Sequence, residues 1–246
     1  MLHDNFFNYN DKFLIANNRY DDYSHLEKTP VDKTPYYLID KVSGIHTPLS
    51  LTVENRVSRI FNERIERHNK NTSSIVYDWI FLTPLLANNN DFLIADFGLD
   101  TLYSFKNDNL TPIAVQSPPV HSSHPPTVIV PVHYTDQYLT FKPIKMIPTP
   151  GKPYQNYEEA PTMMWNRKTN EIFRVELYDY NVSQTKYTMR WMWYNHIEHN
   201  NCIMRRYKAE TLLELYEAGE LKGKIKDIAS KMKFDDNPLI AIYKLK

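Results

Sequence analysis

Short apolar-aromatic segments recur along the chain, each closed by polar residues. Lys12-Phe13-Leu14-Ile15-Ala16 runs into Asn17-Asn18, and Tyr36-Tyr37-Leu38-Ile39 runs into Asp40 and Gly44. Asp91-Phe92-Leu93-Ile94-Ala95 leads into Asp96-Phe97-Gly98, and Gln137-Tyr138-Leu139-Thr140-Phe141 ends at Pro143. Residues 171–178 alternate apolar and polar with period two, as a half-buried strand does. Residues 187–194 are rich in aromatics and residues 238–243 in aliphatics, and both read as further strands. Many short strands with regular turn signals predict a sandwich, barrel or propeller.

The punctuation is mostly Asn and Asp. The 22 Asn include the clusters Asn88-Asn89-Asn90 and Asn200-Asn201. Asn tolerates left-handed backbone angles and closes turns with its own side chain. A weak repeat accompanies these turns. Asp11-Lys12-Phe13-Leu14-Ile15-Ala16-Asn17 echoes Asn90-Asp91-Phe92-Leu93-Ile94-Ala95-Asp96, with looser copies at Thr135-Asp136-Gln137-Tyr138-Leu139 and Thr169-Asn170-Glu171-Ile172-Phe173. Aligned on the first large apolar residue, the copies fall at Phe13, Phe92, Tyr138 and Ile172. The first interval is about twice a four-stranded propeller blade, and the other two bracket its roughly 40–50 residues. The expectation is an all-β chain with a small helical insertion: one β-propeller domain, residues 1–246, of four to five antiparallel blades.

Two stretches, 117–126 and 148–161, are rich in proline, which cannot donate to a ladder, so both read as loops between blades. Residues 208–233 read as helical. Leu212, Leu213, Leu215 and Tyr216 make one apolar face, Gly219 is placed to cap it, and Ile225, Ile228, Ala229 and Met232 mark a second short helix. This insertion precedes a last strand at 238–245 and is expected to pack on a sheet.

Composition then removes whole classes. Glycine numbers 5 against 16 proline, where average usage is near ~7% glycine. Gly-x-Gly-x-x-Gly, Gly-x-x-x-x-Gly-Lys-Ser/Thr and Gly-x-Ser-x-Gly are all absent, which argues against dinucleotide-fold oxidoreductases, P-loop NTPases and nucleophile-elbow hydrolases. Lys+Arg and Asp+Glu both number 29, so no general affinity for nucleic acid or anionic membrane is expected. Cys202 is the single cysteine, which rules out an intrachain disulfide and a Cys-based zinc site. No apolar run approaches the roughly 20 residues that span a bilayer. Met1-Leu2-His3-Asp4-Asn5-Phe6-Phe7-Asn8 has neither the basic nor the apolar region of a signal peptide. The expectation is a cytoplasmic protein if Met1 is the true start, or a chain that lacks its natural N-terminus.

The C-terminal stretch carries a resemblance. Leu212-Leu213-Glu214-Leu215-Tyr216-Glu217-Ala218-Gly219-Glu220-Leu221-Lys222 continues through Ile228-Ala229-Ser230-Lys231-Met232 to Asp235-Asp236-Asn237-Pro238-Leu239-Ile240-Ala241-Ile242-Tyr243-Lys244-Leu245-Lys246. It resembles the end of the six-bladed β-propeller proteins of Bacteroides-type bacteria, of NHL or TolB-like kind. There a helical insertion precedes an Asp-Asn-Pro turn, a last apolar strand and a Lys-Leu-Lys end. Leu99-Asp100-Thr101-Leu102-Tyr103-Ser104-Phe105 is similar to that family's recurrent Asp-Thr-aliphatic-Tyr strand. The resemblance is confined mainly to the C-terminal part of the chain. It implies a propeller of the cell envelope, periplasmic or a lipoprotein, and no particular reaction. Six blades of about 45 residues need roughly 300 residues with the insertion, so the expectation is a partial or divergent member with open blade edges.

Candidate chemistry is sparse. Asp96-Phe97-Gly98 matches a kinase triplet in letters only and reads as a strand end and turn. His121, His124 and His133, or His196 and His199 with Glu198, could be assembled on paper into a metal or acid–base site. None has helical metal-ligand spacing, so no metal and no cofactor is expected. Asp96, Asp100, Glu158 and Glu159 are available carboxylates that sequence does not place. Trp165, Arg190, Trp191, Trp193 and His196 are the candidate binding residues, since Trp191 and Trp193 share one strand face and offer a stacking surface beside Trp165 and Tyr194. The expected function is a non-enzymatic ligand- or protein-binding module for a glycan, peptide or protein. The alternatives are a propeller hydrolase or lyase with an acidic and His site at its opening, and a structural assembly component associating through blade edges.

Overall fold

The computed structural model describes residues 3–18, 33–54, 59–67, 73–81, 85–122, 124, 126–147, 156–159, 161–178, 181–182, 186–187 and 202–244. The first sheet is an antiparallel meander of β1 (His3–Asn8), β2 (Phe13–Asn18), β3 (Tyr36–Asp40) and β4 (His46–Pro48). A separate hairpin of β5 (Arg59–Arg67) and β6 (Ser73–Phe81) follows. The second sheet repeats the meander with β7 (Leu85–Asn88), β8 (Asp91–Ile94), β9 (Thr101–Lys106) and β10 (Asn109–Val115). The third is built from β11 (Thr127–Tyr134), β12 (Tyr138–Ile147), β13 (Asn156–Glu159), β14 (Met163–Asn166) and β15 (Glu171–Arg174), in the order β11-β12-β14-β15. β13 pairs with the far half of β12, Ile144 to Ile147. Two short pairs complete the described strands: β16 (Leu177–Tyr178) with β17 (Lys186–Tyr187), and β18 (Cys202–Tyr207) with β19 (Leu239–Lys244).

β8 is the key to how the sheets stack. All four of its residues are buried, because the second sheet is covered on both faces. Successive side chains point to opposite faces. Phe92 and Ile94 therefore enter one core with Phe7, Tyr9, Ile15 and Tyr36 of the first sheet and its flank. Leu93 and Ala95 enter another with Tyr134, Leu139 and Phe141 of the third. A strand in the middle layer needs apolar residues on both faces, which is why the sequence there is a continuous run and not an alternation.

Asn and Asp do make the turns. Among the described residues, the non-glycine positions with positive φ are Asn89, Asn107, Asp108 and Asn170. Asn107 and Asp108, with φ of 50° and 57°, close the β9–β10 hairpin between paired Lys106 and Asn109, the geometry of a type I′ turn. Asn10 Oδ1 accepts from the N–H groups of Lys12 and Phe13, and Asp40 Oδ1 accepts from those of Val42 and Ser43.

The helical part is α1 (Ala209–Glu217) and α2 (Gly223–Ala229), packed on one face of the β18–β19 pair through Leu212, Ile225, Ala229, Tyr207 and Leu239. Gly219, at φ 73°, ends α1 as expected: its N–H bonds Tyr216 O, and the Glu220 N–H bonds Leu215 O. Tyr216 sits on the exposed side and not on the apolar face. The described part of the chain is thus antiparallel β with a small helical part.

Four local expectations are corrected. Phe13, Phe92 and Tyr138 all begin or nearly begin the second strand of one of the three larger antiparallel sheets, so those echoes are structurally equivalent. Ile172 is not: it lies in β15, the fourth strand of the sheet that holds Tyr138, because the same turn signal precedes any hairpin strand. The long interval from Phe13 to Phe92 does not hide a blade between the first two sheets, since these share one core directly and β5 lies beside β13. Residues 148–161 are not simply a loop between blades. They hold β13 and connect β12 to β14 within one sheet, because Asn156-Tyr157-Glu158-Glu159 lacks proline and can pair with the open side of β12. The expected half-buried strand at 171–178 is β15, exposed at every residue, followed by β16; its position at the sheet edge leaves both faces open.

Candidate functional site

Two buried carboxylates bracket β8. Asp91 opens it, and its Oδ1 accepts from the Ser104 hydroxyl on β9 at 2.5 Å. Its Oδ2 accepts from the Tyr134 hydroxyl at the end of β11 at 2.7 Å. Burial first, then the charge of Asp91, pushes the Tyr134 hydroxyl far above the ordinary phenol range, so it remains a donor. The Arg167 guanidinium lies over the Tyr134 ring, 4.8 Å from its centroid, and Arg167 Nη1 donates to Thr135 O at 3.0 Å. Asp96 follows β8. Its Oδ2 accepts from the Tyr36 hydroxyl of β3 at 2.7 Å, and its Oδ1 from the Gly98 N–H at 3.0 Å. Asp91 thus ties the second sheet to the third and Asp96 ties it to the first. The Asp96-Phe97-Gly98 triplet is the strand end and turn that the sequence predicted.

Beside the Leu93–Leu139 core a groove of about 590 Å³ opens between the second and third sheets. Its walls come from the fourth strands and their neighbours: Ile113, Ala114 and Val115 of β10, Met163 and Trp165 of β14, and Ile172 of β15. Leu102, Ile129, Leu139 and Phe141 form further lining, and the loop after β8 contributes Leu99 and Asp100. Val115 and Ile172 are 70% and 59% exposed, which marks the mouth as open. The volume is that of a small-molecule site, typically ~300–1,000 Å³. The described lining holds no His, Cys or Lys, and its charged residues are Asp96 and Asp100 alone. Gln116 is committed to Thr127 O at 2.6 Å, and Asp100 Oδ1 accepts from the Val120 N–H at 2.5 Å. Such a lining can desolvate and hold an apolar ligand.

Of the candidate binding residues, Trp165 lies in this groove, half-buried, with Nε1 donating to Asn170 Oδ1 at 3.0 Å. Arg190, Trp191, Trp193 and His196 lie outside the described residues, as do Tyr194, Glu198 and His199. His124 is exposed and His133 is half-buried on β11. Among the described residues no group of three or more His, Cys, Asp or Glu is arranged to hold a metal. The groove itself was missed by sequence reasoning. Its lining is drawn from residues 96 to 172, and the one local hint was an apolar residue at Val115 and at Ile172 on strands that end a meander.

No family model matches the chain, and no curated protein matches it. A crystal structure of a Bacteroides fragilis protein, titled "Putative exported protein", aligns with 100% of this chain and 78% of that one, at 10% identity and a TM-score of 0.45. No described helix is long and apolar enough to cross a membrane.

Proposed function

We propose that this chain is a non-catalytic binding module of β-propeller type, acting in the bacterial cell envelope and holding its ligand in the groove between the second and third sheets. The observation that carries the binding reading is the groove: about 590 Å³, apolar-walled and open at Val115 and Ile172. The propeller reading is supported by two four-stranded meanders and a five-stranded antiparallel sheet that share cores face to face. It is supported too by the contact between the first strands β7 and β11 while space opens between the later strands β10 and β14–β15, a wedge arrangement. The envelope location rests on the resemblance of residues 212–246 to the propeller proteins of Bacteroides-type bacteria.

The test is a calorimetric screen of glycans, peptides and apolar small molecules against the wild-type chain and an Ala114→Phe variant, which fills the groove from its β10 wall. Ligands of the groove should bind the wild type and lose at least tenfold in affinity on the variant, whose circular dichroism should be unchanged. Absence of any binder, or binders indifferent to Ala114→Phe, removes the groove reading. Turnover of a substrate removes the non-catalytic one.

A further inference from the structure

We propose that the groove selects an amphiphilic amine, an elongated apolar body carrying one positive charge; this rests on the reading of the groove as a binding site. The argument is charge complementarity. The described lining has two charged residues, both carboxylates, in an otherwise apolar wall. Asp96 is not available to a ligand, since it is buried and its two oxygens accept from Tyr36 and Gly98. Asp100 is half-exposed, and among the described residues only its Oδ1 is engaged, by the Val120 N–H. Among the described residues no donor reaches its Oδ2 and no cation neutralises it in the lining. A carboxylate beside an apolar groove favours a cation with donors and repels an anion. Trp165 adds an aromatic face to the same lining, which a cation also favours. The apolar body is required by Leu102, Ile113 and Phe141, which present no hydrogen-bonding side chain.

The probes are decylamine, decanol and decanoate, which share one chain and differ in the head group. Calorimetric titration of the full chain, below micelle-forming concentrations, should rank them amine, alcohol, acid, with the amine about tenfold tighter than the alcohol. Asp100→Asn keeps the Oδ1 acceptor for Val120 and should erase the difference between amine and alcohol. The amine's advantage on the wild type should also shrink as salt is raised, a reading that needs no variant. Equal binding of all three probes, or an amine preference that survives Asp100→Asn and high salt, overturns the charge selection and leaves the groove as a binding site. Binding of none overturns both.

Discussion

Tyr134→Phe isolates the bond that ties the third sheet to the second. The tyrosine is buried at 5% exposure, and its hydroxyl donates to Asp91 Oδ2 at 2.7 Å. Phenylalanine keeps the ring in its core with Leu93 and Leu139 and keeps the face over which Arg167 lies. What is lost is one hydrogen bond to a carboxylate, which then has Ser104 as its remaining side-chain donor. Bonds to charged groups are worth about 1.5–3 kcal/mol, so a loss of about 2 kcal/mol is expected at pH 7 by urea denaturation. A second signature follows from the raised pKa of the Tyr134 hydroxyl. The folded value lies above the unfolded one, so the stabilisation is complete below about pH 10 and drains away as pH climbs towards the folded value. In that alkaline window the wild type should lose stability about 1.4 kcal/mol per pH unit more steeply than the Phe variant. The other tyrosines titrate in both proteins and cancel in the comparison. A loss at pH 7 no larger than that of the weakest neutral hydrogen bonds, about 0.5 kcal/mol, with parallel alkaline curves, would refute the argument that this bond is buried and charge-assisted.

Further outcomes follow from the same structure. Phe92→Ala empties the centre of the first core, where Phe92 is fully buried with ring centroids 6.2 Å from Phe7 and 5.8 Å from Tyr9; it should cost about 3–5 kcal/mol, and a loss below about 1 kcal/mol by denaturation would mean that the first two sheets do not share a core. Gly219→Ala meets open space but a backbone at φ 73°, so it should cost about 1–2 kcal/mol from conformation alone, with Gly219→Asn milder by thermal melting. Asp40 is held below the ordinary carboxylate range, first by the Ser43 N–H and then by the Ser43 hydroxyl. Its folded value lies below the unfolded one, so its contribution is present above the ordinary carboxylate range and is lost as pH falls through the folded value. Ser43→Ala should move its titration upward in carboxyl NMR, and an unmoved midpoint would show that the hydroxyl does not contribute.

Local signals were legible because they are written in neighbouring residues. The Asn-Asp turns follow from the tolerance of those side chains for positive φ, as Asn107 and Asp108 demonstrate. The cap at Gly219 and the helices on either side of it follow from spacing within one or two turns. The Phe-Leu-Ile runs of β2 and β8 marked strands because buried backbone must be paired and apolar residues must be covered. What these runs do not carry is which sheet covers which face. Asp91 finds Tyr134 across 43 positions and Asp96 finds Tyr36 across 60, and nothing adjacent to either residue announces its partner.

The same limit applies to the groove. Sequence by itself determined an antiparallel β chain with Asn-made turns, a capped helical pair before the last strand, and no glycine-rich phosphate loop. Each is a consequence of short-range steric and hydrogen-bonding preferences. Only the tertiary structure decided that the first and second sheets touch despite the long stretch of chain between Phe13 and Phe92, that Ile172 belongs to a sheet edge and not to a new repeat, and that Trp165 shares a cavity with Val115 and Asp100. A cavity is the space left between two packed faces. It is set by how the twist and side-chain volumes of both sheets fit together, and no single segment encodes that.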